Sequence, residues 1–113
     1  MIDGIGIDVV DIARFLESLE RTPGLREKLF TESERTQSSQ SLAARFAAKE
    51  ALYKALSPSH GLHWHDDEVI NQPNGKPEFL FRGEIADLID GAKVHLSLSH
   101  DAGIASAMVV VER

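Results

Sequence analysis

The stretch Ile2-Asp3-Gly4-Ile5-Gly6-Ile7-Asp8-Val9-Val10-Asp11 decides how this chain is organised. Ile5, Ile7 and Val9 alternate with Gly4, Gly6 and Asp8, and a period of two marks a strand with one buried face. The pattern predicts that the Ile5, Ile7, Val9 face turns inward. The other face carries two glycines and then a carboxylate. Glycine inside a strand marks close approach of another backbone or of a ligand. Asp8 is therefore expected at a strand end, beside a space left by missing side chains. Asp11 is placed to cap a helix beginning at Ile12, whose apolar positions Ile12, Phe15, Leu16 and Leu19 keep helical spacing until Pro23-Gly24.

Beyond that stretch, Leu25 to Phe30 reads as a short helical piece. Thr31-Glu32-Ser33-Glu34 has capping-box spacing and starts another. Gln37 to Gln40 is a polar break. Ser41 is expected to cap a long helix from Leu42 to about Leu56, rich in Ala, Leu, Lys and Glu, which Ser57-Pro58-Ser59-His60-Gly61 terminates. Residues 62–71 read as one strand, irregular near Asp66-Asp67. Pro73-Asn74-Gly75-Lys76-Pro77 is a turn, and Glu78 to Phe81 a short strand. Gly83 to Ile89 is a helix closed by Gly91. Val94, Leu96 and Leu98 alternate with His95, Ser97 and Ser99 as a strand, and His100 to Gly103 is a hairpin loop leading to a partner strand, Ile104 to Val111. Helices and strands are segregated, so the class is α+β: one small domain over residues 1–113, with an antiparallel sheet against the long helix.

With 113 residues, one domain is all the length allows. A chain this small is expected to lean on subunit contacts. No cysteine is present, which excludes disulfides, thiolate metal sites and cysteine nucleophiles. The formal net charge of −6 argues against bulk nucleic-acid binding. Between residues 35 and 54, however, Arg35, Arg45, Lys49 and Lys54 face only Glu50, which suggests a discrete anion site or else a solvated helix face. No apolar run reaches membrane-spanning length, and the Met1-Ile2-Asp3-Gly4 start lacks a secretory pattern. The expected location is the cytoplasm.

Four groups of residues carry candidate chemistry. Asp8 and Glu50 come from separate elements and could together hold Mg²⁺, a cation that takes oxygen ligands and keeps waters and phosphates. Lys54, one turn beyond Glu50, would neutralise a phosphate; the plainer alternative is an i,i+4 Glu50–Lys54 ion pair. Arg45 lies roughly 140° from Glu50 round the helix. It faces solvent, or it reaches a site completed by a neighbouring subunit. Ser97-Leu98-Ser99-His100 ends a strand, with its serines suited to hydrogen bonding. Asn74-Gly75-Lys76-Pro77 forms a restricted loop able to hold a planar base or an anion. His63 and His65, with His60, make Zn²⁺ conceivable, but no third and fourth ligands stand out.

Gly4-Ile5-Gly6-Ile7-Asp8-Val9-Val10, Arg45-Phe46-Ala47-Ala48-Lys49-Glu50-Ala51, Asn74-Gly75-Lys76-Pro77 and Ser97-Leu98-Ser99-His100 occur in this order. The chain thereby resembles the holo-acyl-carrier-protein synthases, the short trimeric group of 4′-phosphopantetheinyl transferases, over essentially its whole length. The resemblance implies transfer of the phosphopantetheine arm of coenzyme A to a serine of an apo acyl carrier protein, with release of adenosine 3′,5′-bisphosphate. It implies Asp8 and Glu50 as magnesium ligands and Lys54 on the coenzyme A phosphates. It sets Arg45 and His100, with Ser99 beside them, near the nucleotide phosphates, and the loop Asn74, Gly75, Lys76, Pro77 near adenine. It implies sites between the subunits of a homotrimer, and a basic docking surface at Arg14, joined by Arg21, Arg26 and Lys28. Glu50, or a water that it orients, would take the serine proton. The family's glycine-rich loop after the long helix is here Ser57-Pro58-Ser59-His60-Gly61, and no contact is carried over to it. Two other readings compete. A ribonuclease-H-like phosphodiesterase also opens on a strand with a catalytic Asp, but a capped helix follows directly here. A non-catalytic oligomeric interaction domain would leave Glu50–Lys54 as a surface pair.

Overall fold

The computed structural model describes residues 1–56 and 63–113. The chain runs β1 (Ile2–Asp11), α1 (Ile12–Arg21), α2 (Leu25–Leu29), α3 (Glu32–Arg35) and α4 (Ser39–Ala55). A 3-10 turn (Trp64–Asp66) then leads to β2 (Asp67–Asn71), β3 (Pro77–Phe81), α5 (Gly83–Ile89), β4 (Lys93–Asp101) and β5 (Ile104–Glu112). β1, β5 and β4 form an antiparallel sheet with β5 central, and β2 and β3 form a separate hairpin. The β4–β5 turn is the two-residue Ala102-Gly103, both with positive φ, a conformation that suits the twist of a tight hairpin.

The α+β class and the sheet against the long helix are as the sequence predicts. The faces of β1 are reversed. Ile5, Ile7 and Val9 are exposed, and the Gly4, Gly6, Val10 side turns inward against α4. A Cβ on Gly4 would lie 2.0 Å from the Ala55 carbonyl oxygen, and one on Gly6 1.8 Å from that of Ala51. The glycines therefore admit the backbone of α4, and hydrophobicity alone misidentifies the core face. Asp8 stands inside the strand, which continues to Asp11 before the Asp11 side chain caps α1 by accepting from Arg14 N.

Helix α4 starts earlier than expected. Ser38, not Ser41, is its cap, accepting from Ser41 N, so the polar run Ser39-Gln40 is already helical. Buried alanines (Ala43, Ala44, Ala47, Ala48, Ala51) let the helix be covered on most sides, with Leu42, Leu52, Phe30, Ile85, Val109 and Val111 filling the core. The single strand expected over 62–71 is instead the 3-10 turn plus β2. The expected loop at 57–61, and Leu62, lie outside the described residues.

Candidate active site

Asp8 projects from the inward face of β1 and Glu50 from α4, and both line one cavity of about 630 Å³. The glycine contacts bring the two elements together with no side chain between them. Lys54 Nζ donates to Asp8 Oδ1 (3.0 Å) and to the Ile7 carbonyl (2.9 Å), so its ion-pair partner is Asp8 rather than Glu50. Burial raises the Glu50 carboxyl above its ordinary range; the Asp8 charge adds to this and Lys54 opposes it. The two carboxylates thus feel each other across the cavity.

The rest of that cavity is not foreshadowed by the sequence motifs. Phe15 and Phe46 stack at 4.8 Å, Phe46 and Trp64 at 5.7 Å, and all three join Leu25 and Leu29 in lining it. Arg14, Arg21 and Lys28 also line it, together with Asp11 and Glu17, while Arg26 is not among its lining residues. Phe46 sits inside the quoted helix motif, but its helical spacing reads equally well as ordinary core.

A second cavity, of about 300 Å³, is lined by Ser38, Ser41, Arg45, Gly75, Pro77 and His100, among others. Arg45 is buried, which corrects the solvent-facing reading. Its Nε donates to the Val69 carbonyl at 3.3 Å, and its Nη1 donates to Ser41 Oγ. Burial works against its charge, while Glu34 and Glu68 support it. The Asn74 side chain closes the loop by accepting from Lys76 N at 2.9 Å; Gly75 and Pro77 reach the cavity, whereas Asn74 and Lys76 are not among its lining residues. Ser99 is not brought to His100. Strand alternation turns it to the opposite sheet face, paired with Ser106. The two cavities share no lining residue.

Among the described residues no group of three or more His, Cys, Asp or Glu side chains could hold a metal ion. The Zn²⁺ reading therefore finds no support there; His65 Nε2 instead donates to the Glu27 carbonyl at 2.6 Å. Asp8 and Glu50 alone remain a fitting pair for a hard cation whose other ligands are water and phosphate oxygens.

The chain belongs to the 4′-phosphopantetheinyl transferase superfamily, whose profile matches residues 4–106. Holo-[acyl-carrier-protein] synthases are similar over the whole chain. That of Beutenbergia cavernae is 56% identical, with all of both chains covered. That of Leifsonia xyli subsp. xyli is 58% identical, covering 100% of this chain and 98% of the relative. Among solved structures, Helicobacter pylori holo-[acyl-carrier-protein] synthase in complex with coenzyme A superposes with a TM-score of 0.84 at 36% identity, covering 96% of this chain and 99% of that one.

Proposed function

We propose that this protein transfers the 4′-phosphopantetheine group of coenzyme A to a serine of an apo acyl carrier protein and releases adenosine 3′,5′-bisphosphate. The observation that carries the reading is the convergence of Asp8 and Glu50, from distant parts of the chain, in a cavity that Arg14 also lines. Membership of the superfamily and the names of the full-length relatives point to the same reaction.

Asp8 and Glu50 would hold Mg²⁺, which supplies charge neutralisation to the diphosphate when bound. The serine oxygen bonds to the phosphorus bearing the pantetheine arm, and the bond from that phosphorus to the bridging oxygen breaks. The leaving nucleotide keeps that oxygen and its electron pair. Lys54 steadies the charge that develops there. Glu50, whose carboxyl burial holds up, is suited to accept the serine proton. Arg45 and His100 receive the nucleotide phosphates, with the Asn74–Pro77 loop near the base. Arg14, Arg21 and Lys28 offer an acidic carrier a local basic surface on an otherwise acidic protein.

Arg45 and Glu50 line cavities that have no residue in common, which supports a substrate held between two copies of the chain. Ile5, Ile7, Val9 and Met108 leave an exposed apolar face on β1 and β5, with Ile7 directly paired to Met108. Such a face favours self-association, and the reading is a homotrimer with sites between subunits, working in the cytoplasm.

The test is intact mass spectrometry of an apo carrier incubated with the protein, coenzyme A and Mg²⁺. Gain of one phosphopantetheine unit, lost without metal or without the acceptor serine, is the expected result. No gain with several folded apo carriers overturns the reading.

A further inference from the structure

Lys49 on α4 is fully buried, and its three donors are all committed. They go to the Leu29 carbonyl, Glu34 Oε1 and the Trp64 carbonyl, each at 2.8 Å. Glu34 in turn accepts from Val69 N through its other oxygen at 2.9 Å. One buried ammonium is thus matched by one buried carboxylate.

A second carboxyl group lies in the same region. Asp67, at the start of β2, is fully buried. Its Oδ1 accepts from Tyr53 Oη at 2.9 Å, and its Oδ2 has no hydrogen-bond partner among the described residues. An ionised carboxylate needs several donors or a cation of its own, and here the near cation already belongs to Glu34. Burial pushes the Asp67 carboxyl up to about 8; Lys49 and Tyr53 pull against this, and Glu34 adds to it. The groups facing it are Lys49 and Tyr53 on α4 and Glu34 on α3, with Glu50 on α4 and Asp66 both near Tyr53. Neighbouring Glu68 is engaged elsewhere, with Thr31, Ser33 and Arg82.

We infer that Asp67 is a positioning residue: as a neutral acid it leaves Lys49 on the Trp64 carbonyl and so fixes Trp64 in the wall of the Asp8–Glu50 cavity. When Asp67 ionises, it competes for the same ammonium, and the hold on the 3-10 turn slackens. Tyr53 links the two sites directly, because its hydroxyl is on Asp67 and its ring meets Trp64 edge-on at 5.1 Å. The part this plays in transfer rests on the proposed function; the coupling to Trp64 does not.

Trp64 is the sole tryptophan, so its fluorescence in the full chain reads the wall directly. A pH titration is expected to show a phase with a midpoint near 8, the value at which Asp67 is held. Asp67→Asn keeps an acceptor for Tyr53 but cannot ionise, and is expected to lose this phase. His63 and His65 flank Trp64 and remain in the variant, so the difference between the two curves isolates Asp67. Tyr53→Phe removes the donor that favours the anion and is expected to move the midpoint upward. A phase that persists in Asp67→Asn, a midpoint unmoved in Tyr53→Phe, or no phase in the native protein overturns the inference. Transfer should fall between pH 7 and 9 in the native protein more than in Asp67→Asn. If the fluorescence behaves as expected and neither protein transfers at any pH, the proposed function fails while the coupling stands.

Discussion

Lys54 Nζ lies 3.0 Å from Asp8 Oδ1, across two elements, although Glu50 is one turn away on the same helix. The ammonium therefore sets a positive charge against one oxygen of Asp8, where it would oppose a divalent cation held by the same carboxylate. Lys54→Gln should tighten binding of Mn²⁺ to the protein without coenzyme A, at least about threefold, since a competing positive charge is removed. The same variant should lose transfer. Mn²⁺ titration by electron paramagnetic resonance and the mass assay check the two effects separately; weaker Mn²⁺ binding in the variant would contradict the first.

Asp8→Asn, which weakens the hold on the cation, and Glu50→Gln, which also removes the proton acceptor, should each lower transfer by roughly 10²-fold or more, while far-UV circular dichroism and size stay unchanged. A fully active Glu50→Gln protein would remove the catalytic role assigned to that carboxylate.

Gly6→Ala should destabilise the fold by more than about 3 kcal/mol, beyond usual overpacking, because the clash is with backbone. Its Cβ would stand 1.8 Å from the Ala51 carbonyl oxygen. Gly75→Ala is the control: nothing lies within 4 Å, and only its φ of +86° opposes the change. It should cost about 1–2 kcal/mol. Thermal unfolding of both variants gives the comparison.

Stability should depend on pH in two opposed ways. The folded Asp67 carboxyl sits at about 8, above its ordinary value. Its contribution is complete below about 4 and is lost as pH rises through 8, each tenfold difference in proton affinity between folded and unfolded chain being worth about 1.4 kcal/mol. For Glu68, burial pushes the carboxyl up, but hydrogen bonds from Ser33, Arg82 and Thr31 outweigh it and hold it at about 2. That contribution is present above its ordinary range and is lost as pH falls toward 2. Urea unfolding from pH 3 to 9 should show the Asp67 fall between about pH 4 and 8, and Asp67→Asn should remove that fall alone.

Ile7→Glu should yield smaller species by analytical ultracentrifugation and lose transfer, because it places a charge in the exposed apolar face opposite Met108. Unchanged size would dissociate that face from assembly.

Much of this is legible in the chain. The alternation at 2–9, the cap at Asp11, the capping box at Thr31–Glu34 and the paired strands ending the chain depend on local periodicity and turn chemistry, and each appears, the first strand running on to Asp11. The pairing of Asp8 with Glu50 is legible because glycines on one side and alanines on the other permit close approach. The faces of β1 are not, since alternation says that two faces differ and not which one a helix covers. Arg45 is misleading in sequence because its partners, Val69 and Ser41, include one fixed only by tertiary packing. The aromatic stack of Phe15, Phe46 and Trp64 joins three elements, so no local spacing announces it.

The contact of Gly4 and Gly6 with the carbonyls of Ala55 and Ala51 has a mechanical consequence. Where elements are spaced by side chains, those side chains can change rotamer or be exchanged for others of similar volume. Where Gly4 and Gly6 meet Ala55 and Ala51, β1 and α4 are main chain against main chain, which has no such slack. The span from Asp8 to Glu50 is thus gauged by a hard stop, and sequence drift in the surrounding core can reshape the other walls of the cavity while leaving that calibration untouched.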